Sequence, residues 1–249
     1  MADNFYDKVA KKFGDYQTTA KHTDVFPQGN PEEIFKQKLI ELSDKEKIAL
    51  DVGCADGRFT LSVSSYFKKI IAIDISKGML DAAISSQTEQ GISNVSFEYQ
   101  SVRNMPYNGA SFDIVYNRRG PPDFPQFFRV LKSGGYYLEI RIGEKDTQEL
   151  KEVFGRGQGY GQWSESALKK DKMGLDEAGF KAIFGQEFFY SEFYLTFNDL
   201  GLFLQGVPIF EDYDPHKDNA YLTKYAQKYQ ADRGIELKRH RVVTISKKP

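Results

Sequence analysis

An α/β fold, a parallel sheet with helices on both faces, is predicted from three observations. From about Lys47 to Ile142, apolar strand-length runs alternate with helix-length stretches. The first run, "IALDVG", leads into a glycine-punctuated turn, "CADGRF", at the start of a helical stretch. The strand runs are nearly continuous in apolar residues, as expected where helices cover both faces of a parallel sheet.

Each element follows from local pattern. In "FYDKVAKKFGDY", Phe5, Tyr6, Val9 and Phe13 have helical spacing. Asn30 is a helix cap, Pro31 fits the first helical position, and Glu32 and Glu33 complement the helix dipole. Ile34, Phe35, Leu39 and Leu42 form that helix's buried face. "KIALDVG" is a strand, "RFTLSVSSYF" a helix and "KIIAIDIS" a strand; Ser76 then caps "KGMLDAAISSQTEQ", which Gly91 ends. "VSFEYQSV" and "FDIVYNRR" are strands three and four, and after a short proline-bounded helix and "KSGG" comes the strand "YYLEIRI". Residues 155–161 carry glycine at every second position, which gives either a lid or an irregular turn. "SESALKKDKMGLDEAGF" is a helix with Ser164 as its cap. "KAIFGQEFFYSEFYL" is a strand whose core face carries Phe189 and Phe193 and continues to Leu195 and Phe197. Helices near residues 198–205 and 219–230 precede the strand "IELKRHRVVTISKK". No linker composition separates these parts. The expectation is one domain over residues 1–249, with a helical cap at 1–45 and a helical insertion at 196–232 between the last two strands.

Composition excludes several classes. Hydrophobic residues are 40% and charged residues 28% of the 249, which suits a globular core rather than disorder. The net charge of −1 gives no global attraction to nucleic acid or an anionic membrane. Apolar runs are strand-sized, so no membrane span is expected, and the N-terminus lacks a secretion signal's apolar stretch. A single cysteine, Cys54, allows neither an internal disulfide nor a thiolate zinc cluster, and a reduced cytoplasmic setting is the simplest reading. No metal site is expected.

The glycine turn decides the ligand class. A dinucleotide fingerprint starting at Gly53 needs glycines at 55 and 58, where the chain has Ala55 and Arg58. A phosphate-cradling P-loop needs Lys and Ser/Thr after Gly57, where Arg58 and Phe59 follow. What remains is Asp-x-Gly-x-Ala-x-Gly. With it, the sequence resembles the class I S-adenosylmethionine-dependent methyltransferases, in the group that includes the ubiquinone-biosynthesis-like enzymes. The pieces occur in order over residues 47–143: "LDVGCADG", Asp74 closing "IAIDIS", "FDIVYNRR", and "RVLKSGGYYLEI", with looser similarity through "LDEAGF".

The resemblance implies a Rossmann-like sheet of seven strands in the order 3-2-1-4-5-7-6, the seventh antiparallel, and S-adenosyl-L-methionine as cofactor. It implies that Asp51 takes the donor's amino group and that the backbone of Gly53, Cys54, Ala55 and Gly57 lies against its amino-acid part. Asp74 would take both ribose hydroxyls, since a carboxylate offers two acceptor oxygens. Ile75 and Met79 would flank the adenine, although Met79 also suits plain helix packing. Ser101 and Val102 fall where the family often has an acid and a small residue, and Asn117 would lie beneath the donor near the transferred methyl.

The acceptor is less defined. Tyr6, His22 and His216 are candidates from the capping segments. Arg118 and Arg119 follow strand four, where they either anchor an anionic acceptor or pair with Asp113 or Asp123. The prolines after Asn117 arrive three residues later than in base-directed amino-methyltransferases, which favours a small-molecule acceptor over RNA. The "KRHR" run at 238–241 reads as a solvated face, with an RNA-facing patch as the alternative. A dinucleotide oxidoreductase and a non-catalytic S-adenosylmethionine-binding protein are the rival classes.

Overall fold

A computed structural model gives the fold; it describes residues 5–13 and 18–249, apart from the side chains of residues 6 and 10. The elements are α1 (Phe5–Phe13), β1 (His22–Val25), α2 (Pro31–Leu42), β2 (Ile48–Val52), α3 (Arg58–Val63), β3 (Lys69–Asp74), α4 (Lys77–Glu89), β4 (Val95–Tyr99), β5 (Phe112–Arg118), α5 (Phe124–Val130) and β6 (Leu131–Ile142). They continue with α6 (Gln148–Phe154), α7 (Ala167–Glu177), β7 (Lys181–Tyr194), α8 (Phe197–Gly206), α9 (Asn219–Lys228), β8 (Gln230–Ala231) and β9 (Gly234–Lys247).

The strands form one sheet in the order β1-β7-β9-β6-β5-β2-β3-β4, with β8 paired to β9. Neighbours from β4 to β6 are parallel. β9 runs antiparallel between β6 and β7, and β1 is antiparallel on the outer edge of β7. The expected seven strands are therefore corrected to nine among the described residues. The additions gave no sequence signal: β1 is a short polar stretch, "HTDV", and β8 is two residues long. Apart from those two, the path reads β4-β3-β2-β5-β6-β9-β7.

Local chemistry explains the helix starts. Asn30 Oδ1 accepts from the Glu32 N–H at 3.0 Å, with Pro31 in the first turn. Ser76 caps α4 by accepting from the Met79 N–H. The cap of α7 is Ser166, not Ser164; its Oγ accepts from the Lys169 N–H at 3.2 Å, so the helix starts two residues later than expected.

Two cores flank the sheet. On one face, Phe35 and Leu39 of α2 and Leu61 and Val63 of α3 pack with Ala49, Ile70, Tyr116 and Ile140. On the other, Phe127 and Val130 of α5 and Leu175 of α7 pack on Leu50, Val115 and Tyr137. A third core lies beyond the main sheet. The β6–β9 pairing ends at Ile142↔Arg241, but β7 and β9 stay paired up to Tyr194↔Ile235. Residues 235–240 thus carry the hairpin about 20 Å past the carboxyl end of β6. On this overhang pack Leu150 and Phe154 of α6, Leu200 and Leu204 of α8, and Leu222 and Tyr225 of α9.

Two sequence expectations are overturned here. The buried face of β7 carries Phe188, Glu192 and Tyr194, while Phe189 and Leu195 are exposed, so the assigned alternation is off by one residue. The reason is that part of the covered face holds ions, which an apolar pattern cannot reveal. Of the "KRHR" run only Lys238 is exposed; Arg239, His240 and Arg241 are buried, against the expected solvated face. Asp146 Oδ1 accepts from Arg239 Nε at 2.9 Å, Arg241 Nη1 at 2.7 Å and the His240 N–H at 2.9 Å. Arg239 Nη1 also donates to Glu192 Oε2 at 2.6 Å. Burial alone would raise the Asp146 carboxyl, but the two arginines outweigh it and hold the group below the ordinary carboxylate range.

The corrected register of β7 has a direct test in urea unfolding. Phe188→Ala is expected to cost about 3 kcal/mol or more, as for a buried phenylalanine, and Phe189→Ala about 1 kcal/mol or less. The opposite ranking would restore the odd-numbered face.

Candidate donor site at the carboxyl ends of the parallel strands

The turn after β2 is fastened to the end of β3. The N–H groups of Gly53 and Cys54 both donate to the Ile73 carbonyl, at 2.8 and 3.1 Å. The Ala55 N–H donates to Asp74 Oδ2 at 2.9 Å, and the Ser76 N–H to Asp74 Oδ1 at 2.9 Å. Each oxygen of Asp74 thereby keeps acceptor capacity for a further donor. Burial raises the Asp74 carboxyl, partly offset by the backbone N–H donors of Ser76 and Ala55.

Left-handed backbone shapes this turn: φ is +74° at Gly53, +47° at Ala55 and +71° at Gly57. At Gly57 glycine is required twice over, because a Cβ there would lie 2.6 Å from Phe97 Cζ and 2.8 Å from the Ala83 Cβ. At Gly53 a Cβ would meet the Gly120 Cα at 3.4 Å, so the turns after β2 and β5 approach backbone to backbone. These are neighbouring strands at the point where the chain path reverses across the sheet, where open α/β sheets bind ligands.

Asp51, at the end of β2, is buried and accepts from Thr60 Oγ1 at 2.6 Å. Burial raises its pKa from 3.8 to about 6, against the opposing effects of the Thr60 hydroxyl and the Arg118 charge. Because the folded chain holds the proton more tightly than the unfolded chain, Asp51 favours folding at low pH. That contribution is lost as pH rises from 3.8 to about 6. Cys54 is buried, and burial pushes its thiol well above the ordinary range, which removes a reactive-thiol role.

The other expected site residues divide into two groups. Ile75 is exposed beside Asp74, whereas Met79 is fully buried. Ser101 Oγ accepts from the Arg103 N–H at 3.3 Å, and Val102 is buried in the α5-side core. Asn117 is buried and ties its own turn, accepting from the Gly120 N–H at 2.8 Å and donating to the Gly120 carbonyl at 3.1 Å. The arginines do not pair with Asp113 or Asp123, since Asp113 takes Lys132 and Asp123 caps α5. Both reach Glu32 instead: Arg118 Nη2 lies 2.8 Å from Oε2 and Arg119 Nη1 lies 3.3 Å from Oε1.

The two capping histidines lie on separate segments. His22 is exposed on β1, with Nε2 at 3.6 Å from Asp24. His216 is exposed before α9, its N–H donating to Asp214. The side chain of Tyr6 lies outside the described residues. The glycine-alternating loop is anchored in its first half, with the Gln158 N–H on the Ile209 carbonyl at 2.9 Å and Arg156 donating to both carboxylate oxygens of Asp218.

Three residues near the turn escaped sequence reading: Glu32, Thr60 and Asp7. Asp7 of α1 accepts from Ser76 Oγ at 2.6 Å and from the Gly78 N–H at 3.4 Å, at the start of α4 and close to Asp74. The only signal for it was its place in an amphipathic helix. Among the described residues, Glu144, Glu187 and His240 also come together. There His240 Nδ1 accepts from the Lys145 N–H at 3.3 Å, which places the ring proton on Nε2, opposite Glu187.

Residues 49–135 match the family described as methyltransferase domain. The chain is similar to an uncharacterized methyltransferase, YcgJ, of Bacillus subtilis, 32% identical over 102 residues, which is 38% of this chain and 40% of that protein. It is also similar to a demethylmenaquinone methyltransferase of Lactococcus lactis, 30% identical over 115 residues, or 42% of this chain and 46% of that protein. The chain spans less than half the length of these curated relatives. In fold it resembles the crystal structure of YcgJ, with a TM-score of 0.63 at 18% identity over 86% of this chain and 97% of that one. A protein of unknown function from Deinococcus radiodurans gives a TM-score of 0.64 at 16% identity, over 98% and 99%.

The glycine requirement is testable by denaturation. Gly57→Ala is expected to lose about 2 kcal/mol or more, since left-handed backbone and a sub-van-der-Waals contact add together; an unchanged midpoint would contradict the turn geometry. The turn between its two aspartates and the first strands of the Rossmann-like sheet beneath it lie within residues 49–135, the segment that matches the methyltransferase domain family.

Proposed function

We propose that the protein transfers the methyl group of S-adenosylmethionine to a small-molecule acceptor. The observation that carries this reading is the pair of carboxylates around the left-handed turn: Asp51 buried at the end of β2, and Asp74 held by two N–H donors at the end of β3. The site fits the cofactor's chemistry. Its amino group is a cation for Asp51, its vicinal ribose hydroxyls are donors for Asp74, and it has no phosphate to satisfy. The close approach of Gly53 and Gly120 leaves backbone, not side chain, against the amino-acid part.

When bound, the sulfonium supplies an activated methyl group on a good leaving group. The protein's work is then to orient the acceptor at near-attack distance and to exclude water. Asn117 and Gly120 fix the floor of the site at the β5 turn. The overhanging hairpin and its helices supply the wall on the acceptor side. Relatives named for demethylmenaquinone and for malonyl-[acyl-carrier protein] show how varied the acceptors of similar chains are, and each shares under half of this chain. A fold of this type also occurs in a [4+2]-cyclase, SpnF, so an acceptor screen has to score methyl transfer itself. Arg239, His240 and Arg241 are buried, so these three side chains offer no surface to RNA.

Calorimetric titration with S-adenosylhomocysteine, with NAD in parallel, tests the donor site. Binding of S-adenosylhomocysteine alone is expected, with Asp74→Ala losing tenfold or more in affinity, about 1.4 kcal/mol. NAD binding in place of S-adenosylhomocysteine would overturn the reading. The affinity is also expected to fall as pH drops through about 6, where Asp51 takes up its proton. Asp51→Asn should bind weakly and lose that pH step.

A further inference from the structure

We propose that Glu32 is a positioning residue of the donor site: it holds Arg118 and Arg119, fixes the β5 turn, and sets how much positive charge that turn presents to Asp51. The inference rests on the proposed donor site and adds a residue from outside the matched segment. Glu32 lies on α2, 86 residues before Arg118.

The geometry is specific. The Asn30 cap and Pro31 fix the first turn of α2, which sets where Glu32 projects. One carboxylate oxygen meets each arginine, at 2.8 Å and 3.3 Å. The Arg118 guanidinium also lies over the Phe59 ring of α3, 4.1 Å from its centroid, and so bridges α2, β5 and α3. Arg119 has φ +64°, and its N–H donates to the Ile140 carbonyl of β6 at 2.8 Å. A left-handed arginine persists only where its surroundings over-determine it. This residue immediately precedes Gly120, the glycine that approaches Gly53.

The charges support the same assignment. Burial would raise Glu32, but Arg119 and Arg118 outweigh it and bring it down to about 2, so it stays ionised throughout the physiological range. Arg118 in turn stabilises the Asp51 carboxylate. The groups that act on Asp51 are Thr60 from α3, Tyr116 and Arg118 from β5, Asp74 from β3 and Cys54 from its own turn. Of these, Arg118 is the cation, and Glu32 partly neutralises it. In this reading the two arginines position the turn.

The test is S-adenosylhomocysteine affinity measured from pH 5 to 8 in wild type, Glu32→Gln, Glu32→Asp and Arg118→Gln. Removing the Glu32 charge leaves the arginines uncompensated, so the acid midpoint of binding is expected to move down by about half a pH unit or more. Removing Arg118 should move it up. Affinity at pH 8 is expected to fall several-fold in Glu32→Gln and to recover in part in Glu32→Asp. Weakened binding with an unmoved midpoint in both Glu32→Gln and Arg118→Gln would reduce the contact to a structural brace and overturn the proposal. Unchanged affinity and midpoint would do the same. If Glu32→Gln fails to fold, Glu32→Asp decides: its shorter side chain loosens the arginine contacts, so a downward shift of the midpoint is expected, and an unmoved midpoint would overturn the proposal. Failure of wild type to bind S-adenosylhomocysteine would instead reject the donor-site reading beneath it.

Discussion

The glycine turn hangs from the end of its neighbouring strand, and the rest of the site depends on that attachment. Two successive N–H groups on the Ile73 carbonyl and a third on Asp74 place the turn against β3. Parallel pairing of β2 with β3 and β5 brings three carboxyl ends to one edge. The turn can curl over that edge only because its backbone is left-handed at three positions, one of them an alanine. Asp51, Asp74 and the Gly120 turn then fall at one edge of the sheet without any side chain having to reach far.

Buried charge is distributed unevenly across the two faces of the sheet. On the side of α2 and α3, arginines are held by carboxylates, with Glu32 and Asp146 at the two centres. On the opposite face, Glu139 lies next to Asn117 in the β5–β6 register and close to Asp171. Burial and Asp171 push its carboxyl up to about 8, so it carries a proton at neutral pH. One face thus keeps its carboxylates ionised by pairing, and the other keeps a carboxyl neutral by desolvation.

What was legible in the sequence was local. Strand and helix alternation, the Asn30 and Ser76 caps, and the turn between Asp51 and Asp74 follow from period, capping chemistry and backbone preference, each within a few residues. What was not legible depends on partners far along the chain. Glu32 reads as a dipole-complementing acid until Arg118 and Arg119 arrive beside it. "KRHR" reads as a basic tail until Asp146 and Glu192 bury it. The face of β7 was misread because Glu192 shares it with Phe188 and Tyr194, and a buried ion pair breaks the apolar pattern on which that reading relies.

The place of β9 has a consequence for assembly. It follows β7 in the chain yet lies between β6 and β7, pairing with both. β7 and the β1 strand on its far edge therefore have no sheet to join until β9 has been synthesised. During translation the parallel half, from β4 to β6, can form first, while β7 waits with an unpaired edge. The overhang and its three helices wait with it, so the third core is among the last parts to assemble. Contacts of such wide sequence separation slow folding, and an exposed β7 edge in that interval is open to pairing with another nascent chain.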